Sequence, residues 1–325
     1  MPAVSILIPA YRPDYFDACV ASALAQTHRD FELIVSDDCP GDDVERLLAK
    51  WDDPRIRYER NPTPRCYATN RDNLLRLAQG QYLKFLFDDD LLYPRSVQML
   101  LEAVRSTGAK IAFHPRHFID ATGRVLGAPM AVPAGHVSRI TAEGIYRQVI
   151  ARAVNPIGEP SNILIEAEAL HAITHPFEVE ARPSRFLADV SMIYNFARAG
   201  HDIVGIGVFG SAFRQHAGQN SSEAAPGSAA GVFEWELLAR SARGAQLISA
   251  DDYRGAMTRV HDLYRHHRAR HPVLDRFLEL PAGESPEQAL SARFYQTLDL
   301  AYFEVQARRT RPVAASPPQP PGAPA

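Results

Sequence analysis

The sequence predicts an α/β protein with a mostly parallel central sheet flanked by helices, followed by a helical C-terminal region. Three observations carry this expectation. Short apolar runs alternate with segments of helical spacing over residues 1–115. Polar clusters follow the early apolar runs, where strands of such a sheet would end. A helix-rich stretch over residues 233–309 follows a Ser/Ala/Gly-rich segment.

The elements follow in order. "VSILIP" reads as a fully buried strand, and residues 14–25 have helical spacing. "FELIVS" is a second buried strand, residues 42–51 a second helix, and "IRYE" a weaker third strand. Residues 70–78 read as a helix stopped by Gly80. "YLKFLF" is the next strand, residues 94–105 a helix opening on proline, and "KIAFH" a further strand. Beyond them come a hairpin in "FIDATGRVLG", a strand in "NILIE", a helix over residues 186–199, and strands in "DIVGIGVF" and "SAFRQH". The expected organisation is an α/β domain over 1–221, a linker over 222–231, a helical region over 232–311 and a disordered Pro-rich tail over 312–325.

Composition sets bounds. A chain of 325 residues that is 46% hydrophobic can build a large core. A net charge of −3 gives no basic footprint for nucleic acid. Cys19, Cys39 and Cys66 form no CxxC pair and read as free thiols. No run approaches the roughly 18 apolar residues of a membrane-spanning helix. "MPAVSILIPAYRPDY" lacks the basic and long apolar regions of a signal peptide, so the cytoplasm is the expected compartment.

The chemistry concentrates at strand ends. Pro9-Ala10-Tyr11-Arg12 follows the first strand, Asp37-Asp38 the second, and Asp88-Asp89-Asp90 the strand "YLKFLF". In an open parallel sheet these ends share one edge, and ligands bind there. Adjacent carboxylates repel unless solvated or neutralised, and oxygen ligands suit Mg²⁺ or Mn²⁺ held together with substrate phosphates. An acidic turn capping the helix near Pro94 would also place acids here. Three clusters on one edge favour a site. The run Gly205-Ile206-Gly207-Val208-Phe209-Gly210 fits G-x-G-x-x-G but precedes strand and loop, not a helix, so it is no dinucleotide fingerprint. His261, His266, His267 and His271 lack a ligand framework of the right spacing and read as a solvated basic helix face.

At these residues the sequence resembles the inverting family 2 glycosyltransferases of the GT-A fold, over residues 3–221. "VSILIPAYRPD" is similar to the family's opening strand and turn, and "QTHRDFELIVSDDCPGDD" to its second strand with paired aspartates. "NRDNLLRLAQGQYLKFLFDDDLLYPRSV" is similar to its helix, glycine and metal-motif strand. "IGEPSNILI", "RFLADVSMIYNFARAGHDI" and "FRQHAGQNS" resemble later family segments. Two departures stand out: Phe87 occupies a position where the family often has an aspartate, and Cys39-Pro40 replaces Gly-Ser.

The resemblance implies roles. Asp38 would accept the imide N–H of uracil. Pro9, Tyr11 and Arg12 would wall the base and ribose, with Asn70, Asp72 and Asp88 on the nucleotide side. Asp89, flanked by Asp90 and joined by His216, would hold a divalent cation, Mn²⁺ or Mg²⁺. Arg214 would approach the diphosphate and Glu159 the acceptor. Asp189, at a helix start, would be the base that an inverting transfer needs. Plainer readings exist for several of these: a turn or cap for Asp38, a helix cap for Asp189, a surface ion pair for Arg214.

The implied activity is metal-dependent inverting transfer of a sugar from a nucleotide donor, UDP-linked by preference. The acceptor would be a hydroxyl of a glycan, a lipid-linked glycan or a small natural product. The rivals are a nucleotidyltransferase, disfavoured because "PAYRPD" has no glycine for a phosphate loop, and a non-catalytic nucleotide-sugar-binding protein. The run "LYRHHRARHP" in the C-terminal helices suits packing, homo-oligomer formation, or peripheral contact with the inner face of a membrane.

Overall fold

The computed structural model describes residues 1–63, 66–219, 221–222, 225, 227–280 and 286–310. Its strands are β1 (Val4–Ala10), β2 (Phe31–Asp37), β3 (Ile56–Arg60), β4 (Tyr82–Phe85), β5 (Leu91–Leu92), β6 (Ile111–Phe113), β7 (Arg116–Ile119), β8 (Val125–Gly127), β9 (Val137–Ile140), β10 (Ile163–Glu166), β11 (Glu178–Val179), β12 (Arg182–Pro183), β13 (Ile203–Ile206) and β14 (Ser211–Arg214). Its helices are α1 (Phe16–Leu24), α2 (Asp43–Leu48), α3 (Tyr67–Leu77), α4 (Ser96–Thr107), α5 (Ala142–Ile145), α6 (Ala167–His171), α7 (Ala188–Arg198), α8 (Ser228–Gly244), α9 (Ala250–His267), α10 (Asp275–Leu278), α11 (Pro286–Ala289) and α12 (Ala292–Thr310).

The main sheet has the order β3-β2-β1-β4-β10-β6-β13-β9. Strands β3, β2, β1 and β4 are mutually parallel; β10 runs antiparallel between β4 and β6, and β9 closes the far edge antiparallel to β13. The expected mostly parallel sheet is thus present with two reversed strands. Strand β9 escaped the sequence reading because "VSRI" is half-exposed and carries no apolar run. A second sheet, β5-β14-β7-β8, pairs Leu91 and Leu92 with Ala212 and Ser211. The acid triplet therefore spans the gap between β4 of one sheet and β5 of the other.

Period-2 alternation distributes the strands over two cores. Val4, Ile6 and Ile8 of β1 join Leu33 and Val35 of β2 and pack with Phe16, Val20, Val97 and Leu100 from α1 and α4. Leu7, Ile34 and Phe85 face the other way, toward Val190, Ile193 and Phe196 of α7. Every residue of β1 and β2 is buried, as a sheet covered on both faces requires.

The C-terminal helices belong to that second core. Phe233, Leu238, Tyr264, Phe277 and Phe294 are continuous with Leu83, Ile163 and Ile193. The linker expected over 222–231 is shorter than the composition suggested, because α8 begins at Ser228 with Ala229 and Ala230 already buried. Small residues there are packing residues: a Cβ on Gly231 would lie 2.6 Å from Phe186 Cδ1. The tail over 312–325 lies outside the described residues. The G-x-G-x-x-G run owes its glycines to close approach, since a Cβ on Gly205 would lie 2.5 Å from Phe113 Cζ.

Candidate active site

The parallel register of β1, β2 and β4 brings their carboxyl ends together, and hydrogen bonds lock the loops that follow. Asp88 Oδ2 accepts from the backbone N–H groups of Tyr11 (2.6 Å) and Arg12 (2.8 Å). Burial, reinforced by the charge of Asp89, raises the Asp88 carboxyl to about 7, while those two N–H groups pull it down. Pro9, next to last in β1, lies opposite Ser36, and Tyr11 just past the strand is 36% exposed, with the Arg12 guanidinium 5.9 Å from its ring centre. The Asp38 N–H donates to Ala10 O, and Asp38 Oδ1 accepts from Asn61 Nδ2 at 2.9 Å. Asp37 is instead a structural acid: Cys39 N, Tyr58 Oη and Arg60 occupy its two oxygens. Asn70 is buried, and its Oδ1 has no hydrogen-bond partner among the described residues. Asp72, expected on the nucleotide side, points elsewhere: its side chain is 60% exposed and pairs with Arg71, because it falls on the outer face of α3.

The triplet divides three ways. Asp88 binds the first loop, Asp89 meets His216, and Asp90 turns inward. Asp89 Oδ2 lies 3.1 Å from His216 Nε2, and the imidazole packs 5.1 Å from the Tyr15 ring centre. Asp90 is fully buried; its oxygens accept from Ser161 Oγ at 2.6 Å and Arg214 N at 3.0 Å. Asp90, expected beside the metal, thus presents its acceptors to protein donors on the core side. Arg214, expected near the diphosphate, donates from Nε to Asp89 O and from Nη1 to the carbonyls of Asp120 and Ala121, with its guanidinium 4.4 Å from the Tyr15 ring centre. These bonds tie the acid loop to the β7–β8 hairpin.

The donor set has a definite chemistry. One carboxylate oxygen and one imidazole nitrogen converge at Asp89 and His216, and among the described residues no group of three or more His, Cys, Asp or Glu could hold a metal alone. That set does not fit a closed, all-protein metal cage. It fits a hard divalent cation that keeps most positions for water and phosphate oxygens.

Asp189 stands in the first turn of α7. Its Oδ2 accepts from Asn155 Nδ2 at 3.0 Å, and the same Nδ2 donates to Gly158 O. Burial lifts the Asp189 carboxyl to about 7; the nearby charges of Glu159 and Glu234 add to this, and the N–H groups at the helix start oppose it. Asp189 lines a small cavity with Tyr67, Arg71, Phe85, Phe177 and Met192. Glu159, expected on the acceptor side, is 27% exposed and pairs through Oε2 with Arg116 Nε at 2.7 Å.

Ser161 braces the acid loop. It donates to Asp90, accepts from Phe87 N, and its carbonyl accepts from buried Lys84. Burial lowers the Lys84 ammonium to about 7, with Asp90 pulling it back up. Asn155, Ser161 and Lys84 were missed in the sequence. Only Lys84 left a signal there, as a charge in the middle of a buried strand.

A model of the family described as glycosyl transferase family 2 matches residues 5–169, half of the chain. The chain belongs to glycosyl transferase family 2. Chondroitin synthase of Escherichia coli is 31% identical to it over 162 residues, 48% of this chain and 24% of that protein. The E. coli UDP-Glc:alpha-D-GlcNAc-diphosphoundecaprenol beta-1,3-glucosyltransferase WfgD is also 31% identical over 162 residues, covering 64% of its own length. The chain thus spans only part of the curated relatives it matches. S. aureus TarS 1-349 in complex with UDP-GlcNAc superposes with a TM-score of 0.61 at 15% identity, covering 94% of this chain and 89% of that one. The family 2 assignment places the chain among the glycosyltransferases, and the GT-A type architecture expected from the sequence is the one observed. Among the described residues, no helix is long and apolar enough to cross a membrane.

Proposed function

We propose that this family 2 protein is a metal-dependent, inverting glycosyltransferase that moves a sugar from a UDP-linked donor to a hydroxyl of a glycan or lipid-linked glycan. The observation that carries this reading is the Asp89–His216 donor set at the carboxyl edge of the parallel strands, beside which the raised carboxylate of Asp189 at the start of α7 supplies a base. The donor preference is supported by the UDP-sugar complex of the S. aureus neighbour, and the acceptor class by the name of the E. coli glucosyltransferase.

In this reading Asp38 accepts the uracil imide N–H, while Pro9, Tyr11, Arg12 and buried Asn70 enclose the nucleoside. Asp88 holds the Tyr11–Arg12 turn in place by its two backbone hydrogen bonds. Asp89 and His216 would hold the divalent cation, Mn²⁺ or Mg²⁺, which offsets charge on the departing diphosphate. Asp189 takes the proton of the acceptor hydroxyl while that oxygen attacks the anomeric carbon. The bond to the diphosphate oxygen breaks on the opposite face, and the configuration inverts. Glu159 stays beside the acceptor path with Arg116. Action at the inner face of a membrane is part of the same proposal, matching a lipid-linked acceptor.

The experiment is a thermal-shift screen of nucleotide sugars with and without Mn²⁺, followed by UDP release from the donors that bind. A metal-dependent shift confined to UDP compounds supports the proposal. Stabilisation by nucleoside triphosphates alone would favour a nucleotidyltransferase, and binding without turnover a non-catalytic protein.

A further inference from the structure

The segment that leads into α7 is gripped by the C-terminal helices. Leu187 holds the N-cap position of α7 and has no side-chain acceptor to offer. The acceptor comes from another element. Glu234 of α8, 1% exposed, accepts from the N–H groups of Arg185 (2.5 Å), Phe186 (3.1 Å) and Leu187 (2.6 Å). Tyr302 of α12 donates its hydroxyl to Glu234 Oε1 at 3.1 Å. Further contacts hold the same segment: Glu180 accepts from Ser241 and Tyr295, and Arg182 forms a two-pronged pair with Asp299. Asp189 begins two residues after Leu187.

We propose that Glu234 is a positioning residue for Asp189: by capturing three successive N–H groups it sets where α7 starts, and thereby makes the C-terminal helices part of the catalytic unit. The proposal rests on the reading of Asp189 as the base. A buried carboxylate facing three N–H groups is a strong, directional acceptor. Its loss leaves those donors unpaired in the core and frees the first turn of α7 to shift. The negative charge of Glu234 also adds to the rise of the Asp189 carboxyl. The other groups facing Asp189 are Glu159, Asn155, Tyr67 and Arg71; besides the three N–H groups, Glu234 faces the Tyr302 hydroxyl.

The test compares the parent, Glu234→Gln, Asp189→Asn and the double variant. The readouts are UDP release from the UDP-sugar that the parent hydrolyses fastest, UDP binding, and amide hydrogen exchange over residues 185–190. Glu234→Gln keeps the size but removes the charge and one acceptor oxygen. It is expected to lower kcat roughly 10- to 100-fold, as small misplacements of catalytic groups do. UDP affinity should hold, and exchange should rise over 185–190. The acidic limb of the rate profile should move to lower pH, because removing a neighbouring negative charge lowers the Asp189 carboxyl. In the double variant the loss should be no greater than in Asp189→Asn alone. Parent-like kcat in Glu234→Gln, even with faster exchange, overturns the proposal, as does a loss that adds in full to that of Asp189→Asn. Parent-like turnover in Asp189→Asn, by contrast, removes the base reading itself. Should Glu234→Gln fail to fold, Tyr302→Phe spares the three N–H contacts and the Glu234 charge and is expected to lower kcat by less, with no move of the pH limb to lower pH; parent-like kcat in this variant overturns the proposal.

Discussion

His216 Nε2 lies 3.1 Å from Asp89 Oδ2, although 127 residues separate them. Neither partner is sealed: the Asp89 side chain is 22% exposed and that of His216 9%. A carboxylate and an imidazole that meet at the rim of a sheet edge are available to a cation arriving with its diphosphate. UDP with Mn²⁺ is therefore expected to stabilise the parent by about 2.7 kcal/mol at a hundredfold excess over Kd. EDTA should abolish most of that gain, and Asp89→Asn or His216→Ala should mimic EDTA. Equal UDP shifts with and without metal would sink the metal reading and leave the fold assignment untouched.

Asp90 makes the opposite prediction. Its oxygens satisfy Ser161 and Arg214 N in the core, so Asp90→Ala strands two buried donors next to Lys84. The expected cost is about 2–4 kcal/mol in urea unfolding, whereas Asp89→Ala should stay within about 1 kcal/mol of the parent. Similar losses for the two would mean that the triplet is not divided as described.

This division shows where sequence reasoning stops. The strands were legible because burial on both faces leaves uninterrupted apolar runs, and the acids were legible because parallel strands share one carboxyl edge. Which of three consecutive aspartates turns inward depends on Ser161, 71 residues from Asp90, and nothing local encodes that. Arg214 reads as a diphosphate contact or a surface ion pair until the carbonyls of Asp120 and Ala121 are placed beside it. The grip of Glu234 on residues 185–187 is equally nonlocal, since 47 to 49 residues separate the partners.

Gly158 is the weak point of the loop that holds Asp189. Its φ is +99°, and a Cβ there would lie 2.2 Å from Asn162 Nδ2 and 2.5 Å from Arg116 Nη1. Its carbonyl also accepts from Asn155, the partner of Asp189. Gly158→Ala should cost about 1–3 kcal/mol through strain alone and should depress turnover more than UDP binding. A variant with parent stability would show that the loop adapts and that its conformation is not required.

Asp189 links rate and stability to pH in a way that one variant can test. Its carboxyl is raised to about 7, first by burial and then by the charges of Glu159 and Glu234. A base works ionised, so turnover should fall as pH drops through about 7. Asp189→Asn, which keeps the size but cannot take the proton, should lose roughly 10²- to 10⁴-fold while UDP affinity holds. The stability effect has the opposite sense. The folded carboxyl titrates near 7, against about 3.9 in the unfolded chain. The fold therefore favours the protonated form. That contribution is fully present below about pH 4 and is lost as pH rises through 7. At pH 8 the parent carries an ionised acid where the fold prefers a neutral one, and Asp189→Asn relieves this, with Asn155 still able to donate to the amide oxygen. The variant should melt higher than the parent at pH 8, and the difference should shrink toward pH 5. A melting difference that is the same at both pH values would mean the carboxyl is not raised, and the base would then have to be sought at Glu159.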